Sequence, residues 1–252
     1  MMVFVAYNLR MWRAIIGGMV FGLAAVPAHA QGTSKVGWEP VYTAQCRDCQ
    51  LAGKRLAGWR LDGGDFEGAR LASANLRGVS AEGTRFCEAD LSGAVLDGAL
   101  LDRADFSGAQ LVAAQLKNVS ATDMNAKGAA LTDADLTLGE FAGASFEAAD
   151  LTRVSATGAI FAAASLNGAL AEDTDFTNAN FERANLTGIR LRGATLAGAS
   201  FRGARLGGAD MTGVKAYETA NFSGACASPA TRLPLGISLP ICPPLPMAAL
   251  AE

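Results

Sequence analysis

The apolar positions of this chain fall at every fifth residue. From Leu51 the series runs through Leu56, Leu61, Phe66, Leu71 and Leu76 to Met211 and Ala216, which makes 34 consecutive units without an insertion. The central slot holds 18 Leu, 9 Phe, 6 Ala and 1 Met, and never a polar residue. Two residues before the centre stands Ala in 21 of the 34 units, and two residues after it Gly recurs, as at Gly53, Gly93 and Gly193. A period of five suits neither standard element. Five helical residues turn the chain by about 500°, so successive centres would lie about 140° apart and form no single buried stripe. In a straight strand each new centre, an odd number of residues on, would face the opposite side. A corner in every unit removes the conflict, and the recurring Gly supplies a backbone free to turn it. The chain must then wind around its own core, each turn stacking on the one before.

The phenylalanines give the number of units per turn. Phe66, Phe86, Phe106 and Phe146 share one phase of a twenty-residue period, Phe141, Phe161, Phe181 and Phe201 share another, and only Phe176 stands apart. At a period of fifteen the same rings scatter over all phases, so four units per coil is the better reading. Leu51, Leu71, Leu91, Leu111, Leu131 and Leu151 then make a third column.

Units such as Ala89-Asp90-Leu91-Ser92-Gly93, Ala104-Asp105-Phe106, Ala149-Asp150-Leu151 and Ala184-Asn185-Leu186 resemble the pentapeptide repeat family over about two thirds of the chain. The resemblance implies an all-β fold, a right-handed quadrilateral β-helix, with the centre and the small residue two before it pointing inward. At about 4.8 Å per coil, some 8.5 coils of 20 residues make a rod roughly 40 Å long. Ala121 and Ala126, consecutive small centres, mark its weak point. Met124, where Ala is usual, reads as a core filler whose flexible thioether occupies the gap.

The repeat divides the chain into a leader at 1–30, an N-terminal cap at 31–50, the β-helix at 51–224 and a Pro-rich C-terminal cap and tail at 225–252. The leader carries Arg10 and Arg13 but no acid, then the apolar run Ala14 to Val26, then Pro27-Ala28-His29-Ala30. That is the pattern of a secretory signal peptide cleaved after Ala30, with Met1 or Met11 as the start, and it predicts a periplasmic or secreted protein with no transmembrane segment in the mature chain. Trp38 and Tyr42 are expected to fold over the open first coil. Lys54 and Trp59 stand where Ala is usual, so the opening units are irregular. After Ala216 the register slips by one, to a copy centred on Phe222, and six prolines from Pro229 to Pro246 should stop the coil because proline lacks the donor that strand pairing needs.

Cleavage removes the only histidine and leaves all five cysteines. Cys46 and Cys49 could form a redox pair or half a metal site. The reading favoured by the repeat places both on inward positions of the first coil, packed and free to bond to each other. Zinc needs four ligands, and Cys226 and Cys242 belong to the far end of the rod, where they can close a sixteen-residue loop over the last coil. Cys87, one residue after a centre, is the odd, exposed thiol. Ser-His-Asp and Cys-His catalysis are excluded without histidine. The many Gly-x-x-x-x-Gly spacings are by-products of the repeat, and acids such as Asp62/Asp65 and Asp133/Asp135 belong to its outward positions. No catalytic residue, cofactor or metal is expected.

The mature chain has 19 basic and 24 acidic residues, and the charge is uneven along the rod. From Glu88 to Glu182 there are 15 acids and 4 bases; from Arg183 to Lys215 there are 6 bases and 1 acid. The acidic part carries one net charge per roughly 2 Å of axis, close to the ~1.7 Å of duplex DNA. Some members of the family mimic DNA and bind gyrase, so a DNA-mimicking binder of a type II topoisomerase is one reading. The basic segment and the export signal oppose it. The leading expectation is an exported, non-enzymatic scaffold for a protein partner or for self-association, without direct nucleic-acid binding.

Overall fold

The computed structural model describes residues 44–244. Trp38, Tyr42 and the leader, with its cleavage position after Ala30, lie outside the described residues. Within them the chain is a β-helix built from single parallel bridges rather than long strands. Each bridge joins a residue to the one twenty positions on, from Gln45–Asp65 to Thr195–Lys215. Four five-residue units therefore make one turn. The bridging residue is always the one before a centre, so the four series of centres define four faces. Face one carries Cys46, Phe66 and Phe86; face two Leu51, Leu71 and Leu91; face three Leu56, Leu76 and Leu96; face four Leu61, Ala81 and Leu101.

The local reason for the corner is a tight turn. In the unit centred on Leu91, the Ala94 N–H donates to the Leu91 carbonyl at 2.9 Å while the Gly93 N–H donates to Val112 O one rung on. Every corner residue two after a centre, from Asp48 to Gly213, has a left-handed φ. Gly adopts this freely, but Leu138 at φ 58° and Arg183 at φ 58° adopt it too. Rung bonding over-determines those corners, so the repeat tolerates side chains where Gly would be the unstrained choice.

Inside, the centres from Leu61 to Met211 are buried, and so are the residues two before them from Ala69 to Val214. The rings stack one per rung: Phe66, Phe86 and Phe106 at 5.4 and 4.9 Å, and Phe141, Phe161, Phe181, Phe201 and Phe222 at 5.0 to 5.3 Å. Met124 is fully buried between the small centres Ala121 and Ala126. Two threonines take the small inward slot, and each satisfies its buried hydroxyl by donating to a carbonyl on the preceding rung: Thr84 to Leu61 O at 2.7 Å and Thr174 to Leu151 O at 2.6 Å.

The ends differ from the expected boundaries. The ladder already includes Gln45 and Gln50, because their bridges to Asp65 and Arg70 need only the regular register, so the first coil begins inside the segment read as a cap. Ala216, expected as the last inward centre, is instead exposed with φ 54°, and a single 3-10 turn at Tyr217–Thr219 takes up the extra residue. The next bridges then span 21 residues, Ser200–Asn221 and Arg205–Cys226. The prolines do not end the ladder at once. Asp210 still bridges Arg232, and Ala227 pairs with Ile241 through its N–H to Pro240 O at 2.8 Å, where proline is needed only as an acceptor.

Candidate interaction surface

Three positions per unit face outward: the residue before the centre, the one after it, and the corner. Asp or Asn before the centre recurs because its carboxylate or amide oxygen accepts the N–H two residues on, as in Asp90 to Ser92 (3.0 Å), Asp150 to Thr152 (2.9 Å) and Asn180 to Glu182 (2.9 Å). This Asx turn pre-shapes the corner. Asp62 and Asp102, each after a centre, instead tie one rung to the next: each accepts a Ser hydroxyl (Ser80, 2.6 Å; Ser120, 2.8 Å) and a backbone N–H (Glu82, 3.0 Å; Thr122, 2.8 Å). The outward acids Asp62/Asp65 and Asp133/Asp135 are engaged within the rod. Asp133 holds Arg153 through two bonds of 2.7 Å, and Asp135 meets Lys117 at 3.0 Å.

These contacts set the titration of the acids. The Arg153 hydrogen bond holds Asp133 below the ordinary carboxylate range. At Asp150 and Asp175 burial pushes upward, but the hydroxyls and N–H groups of Thr152 and Thr177, with the Thr132 and Thr157 hydroxyls, outweigh it and the net shift is downward.

The fold redistributes the acidity that the sequence concentrates. The 15 acids and 4 bases between Glu88 and Glu182 divide around all four faces, one base to each. Face two is the most acidic, with Asp90, Asp133, Asp150, Glu172 and Asp173 against Arg153, a net of −4. A partner on one face meets about one net charge per 6 Å, well below the spacing of duplex DNA.

Cys46 and Cys49 are bonded to each other, as are Cys226 and Cys242, so none of the four offers a thiol. Cys46 is buried and Cys49 half-buried, and no cluster among the described residues could hold a metal ion. Cys87 is free but only half-buried rather than exposed: it projects outward between Arg85 and Ser107, its Sγ 4.0 Å from Asp105 O. Burial, together with Asp105, pushes its thiol up, away from the reactive thiolate. No helix among the described residues is long and apolar enough to cross a membrane.

Some features escape a reading by periodicity. Leu138, a corner residue, is 57% exposed and lies over Gly158 of the next rung, and Ile160, two residues on, is also exposed. Gly64 and Gly139 stand in the small inward slot ahead of Phe66 and Phe141, the first ring of each stack. Only the exposed pair carries a sequence signal, an apolar residue in an outward column.

Against known proteins, the model for pentapeptide repeats matches in eight copies, over residues 44–86, 69–108, 82–118, 140–178 and 174–213. Comparison with curated proteins returned no match. Among solved structures, a trypsin-treated form of QnrB1, a plasmid-mediated fluoroquinolone resistance protein, is 19% identical, with 70% of this chain and 92% of that one covered and a TM-score of 0.55. HetL, a pentapeptide repeat protein involved in heterocyst differentiation regulation in the cyanobacterium Nostoc, is 26% identical, covering 72% and 93% with a TM-score of 0.33. A protein of the Arabidopsis thaliana thylakoid lumen is 32% identical over 44% of this chain and 67% of its own, with a TM-score of 0.31.

Proposed function

The chain belongs to the pentapeptide repeat family, and from that footing we propose that it is an exported, non-enzymatic scaffold presenting a rigid charged surface to a macromolecular partner. The observation that carries this reading is the ladder from Gln45 to Arg232. Its inward positions are given to packing, and its outward acids are largely engaged in turns, rung bonds and ion pairs, which leaves shape and charge as the properties a partner can recognise.

Export rests on Arg10, Arg13, the apolar run Ala14 to Val26 and Ala28-His29-Ala30. Two disulfides, one at each end of the rod, suit the periplasm or the medium. The second reading, a DNA-mimicking binder of a type II topoisomerase, draws on the net charge of −11 between Glu88 and Glu182. The likeness to QnrB1, at 19% identity, speaks for the fold alone.

Subcellular fractionation with N-terminal sequencing tests the proposal. A mature chain starting at Gln31 outside the cytoplasm supports it and directs crosslinking to envelope proteins. An uncleaved cytoplasmic chain overturns export and makes a gyrase supercoiling assay the deciding step for the second reading.

A further inference from the structure

Face four is charged at both ends, and the positions after the centre and at the corner are small in the middle. Its outward charged residues are Asp102, Arg103 and Asp123 towards one end and Glu182, Arg183 and Arg202 towards the other; Arg103 is paired with Glu82 on the preceding rung and Glu182 with Arg202; between them lie Ala142, Gly143, Ala162 and Ala163, with Glu140 and Ile160 on the same two rungs. Arg183 is 79% exposed at its side chain and reaches Glu182 only at 4.0 Å, and among the described residues Arg202 has only Glu182, at 2.9 Å, as an ionic partner. Asp123 makes no ion pair among the described residues, and Asp102 uses one carboxylate oxygen for both of its bonds.

We infer that face four binds a second copy of this chain, antiparallel, about a two-fold axis lying across the face midway between the Phe141 and Phe161 rungs. Such an axis, in the plane of contact and perpendicular to the rod, sets each column opposite itself and reverses the order of the rungs. Ala142 then faces Ala162 and Gly143 faces Ala163, so the two faces approach closely. Asp123 falls opposite Arg183, and Asp102 opposite Arg202. Thr122 meets Glu182, Ser120 meets Asn180, and at the neighbouring corner Leu138 meets Gly158. Symmetry makes each pairing twice. Glu140, set against Ile160, is the mismatch nearest the axis; at the ends of the strip Leu100 falls opposite Ser200 and Arg103 opposite Gly203.

The charge order discriminates between faces. Face two is also bipolar, with Asp150 and Arg190 in one column, but the axis that pairs them runs through the Ala171 rung and sets Glu172 and Asp173 against their own copies. On face four the two rungs beside the axis carry a single charge, Glu140, and it falls opposite Ile160 rather than its own copy. The contact strip, from the Leu101 rung to the Phe201 rung, is about 24 Å long and about 12 Å wide. Total burial on the order of 800 Å² places it among weak, reversible interfaces. The dimer should therefore depend on concentration and be dissociated by salt.

This inference names the partner of the protein-binding surface proposed above and is independent of export. Sedimentation velocity over a range of concentrations, on the Cys87→Ser protein so that the odd thiol cannot link chains, tests it. At about 0.05 M salt a dimer is expected, and at about 0.5 M a monomer. Asp123→Arg and Arg183→Asp should each weaken the dimer roughly tenfold, while the double exchange restores it to within about threefold. Both residues occupy left-handed corners, where Asp and Arg occur elsewhere in the rod, so the variants keep the fold. Ala162→Arg should abolish association, and Glu140→Gln should strengthen it. A monomer at low salt, or a dimer indifferent to the single reversals or not recovered by the exchange, overturns the inference. Either result leaves the scaffold reading to be decided by fractionation and crosslinking.

Discussion

Replacing Gly139 by alanine would test whether the ring stacks set the sequence of the small inward slot. A Cβ at Gly139 would lie 2.5 Å from Cε2 and 2.8 Å from Cζ of Phe141, and 3.1 Å from the Leu136 carbonyl oxygen. The φ at this position lies outside the left-handed region, so the backbone itself accepts alanine and the cost is one of packing. The Phe141 ring has little room to move: it is fully buried, stacked on Phe161 at 5.3 Å and edge-on to Phe146 at 5.5 Å. Overpacking of this kind costs about 1–3 kcal/mol. The lower chain entropy of unfolded alanine returns roughly 0.4–1 kcal/mol. A net loss of about 1–2 kcal/mol is expected, or about 2–8 °C in melting temperature for a domain of this size. Thermal unfolding followed by circular dichroism gives the shift. The control is the same change in a Phe141→Leu background, where Ala followed by Leu reproduces the commonest unit of the repeat and the added methyl should cost little. A Gly139→Ala protein as stable as the parent, or an equal loss in both backgrounds, would falsify the argument.

Met124→Ala should open a cavity beside Ala121 and Ala126 and cost about 2–5 kcal/mol, read as a lower melting temperature; an unchanged one removes Met124 as the filler. Asp133, Asp150, Asp175 and Asp210 all have depressed pKa values, so the stability they contribute is present above the unfolded value near 4 and is lost as pH falls through the folded values. The melting temperature should be level from about pH 5 to 7 and fall below about pH 4; a maximum in acid contradicts the assignment. Replacing both Cys226 and Cys242 by serine removes a constraint worth about 3 kcal/mol in the chain-entropy model. The loss should appear as faster hydrogen exchange around Ala227 and Ile241, with the middle of the rod unchanged; uniform loosening of the rod would oppose nearest-neighbour coupling.

The period of five, the inward pair of slots and the twenty-residue turn are all legible in the sequence, because each is enforced at every unit and chance does not keep a register so long. Phe201 stacking on Phe222 was foreshadowed by the one-residue slip, but the device that absorbs it was not. Exposing Ala216 and inserting the 3-10 turn at Tyr217–Thr219 is a choice among local conformations of similar energy, made by the ring column above it. The prolines illustrate a related limit: composition records that proline cannot donate, but only the structure tells where a donor is required, and at Pro240 an acceptor suffices.

The candidate surface was the least legible part. Linear sequence orders charge along the axis, and so the stretch from Glu88 to Glu182 reads as one acidic block. Winding the chain at twenty residues per turn deals those acids to four faces, and residues far apart in sequence, such as Asp123 and Arg183, come to share a single column. The repeat by itself therefore determines the kind of fold and what is inside it, because burial is a property each unit carries alone. What stands beside what on the outside belongs to the tertiary structure, since it depends on the angle through which every coil has already turned.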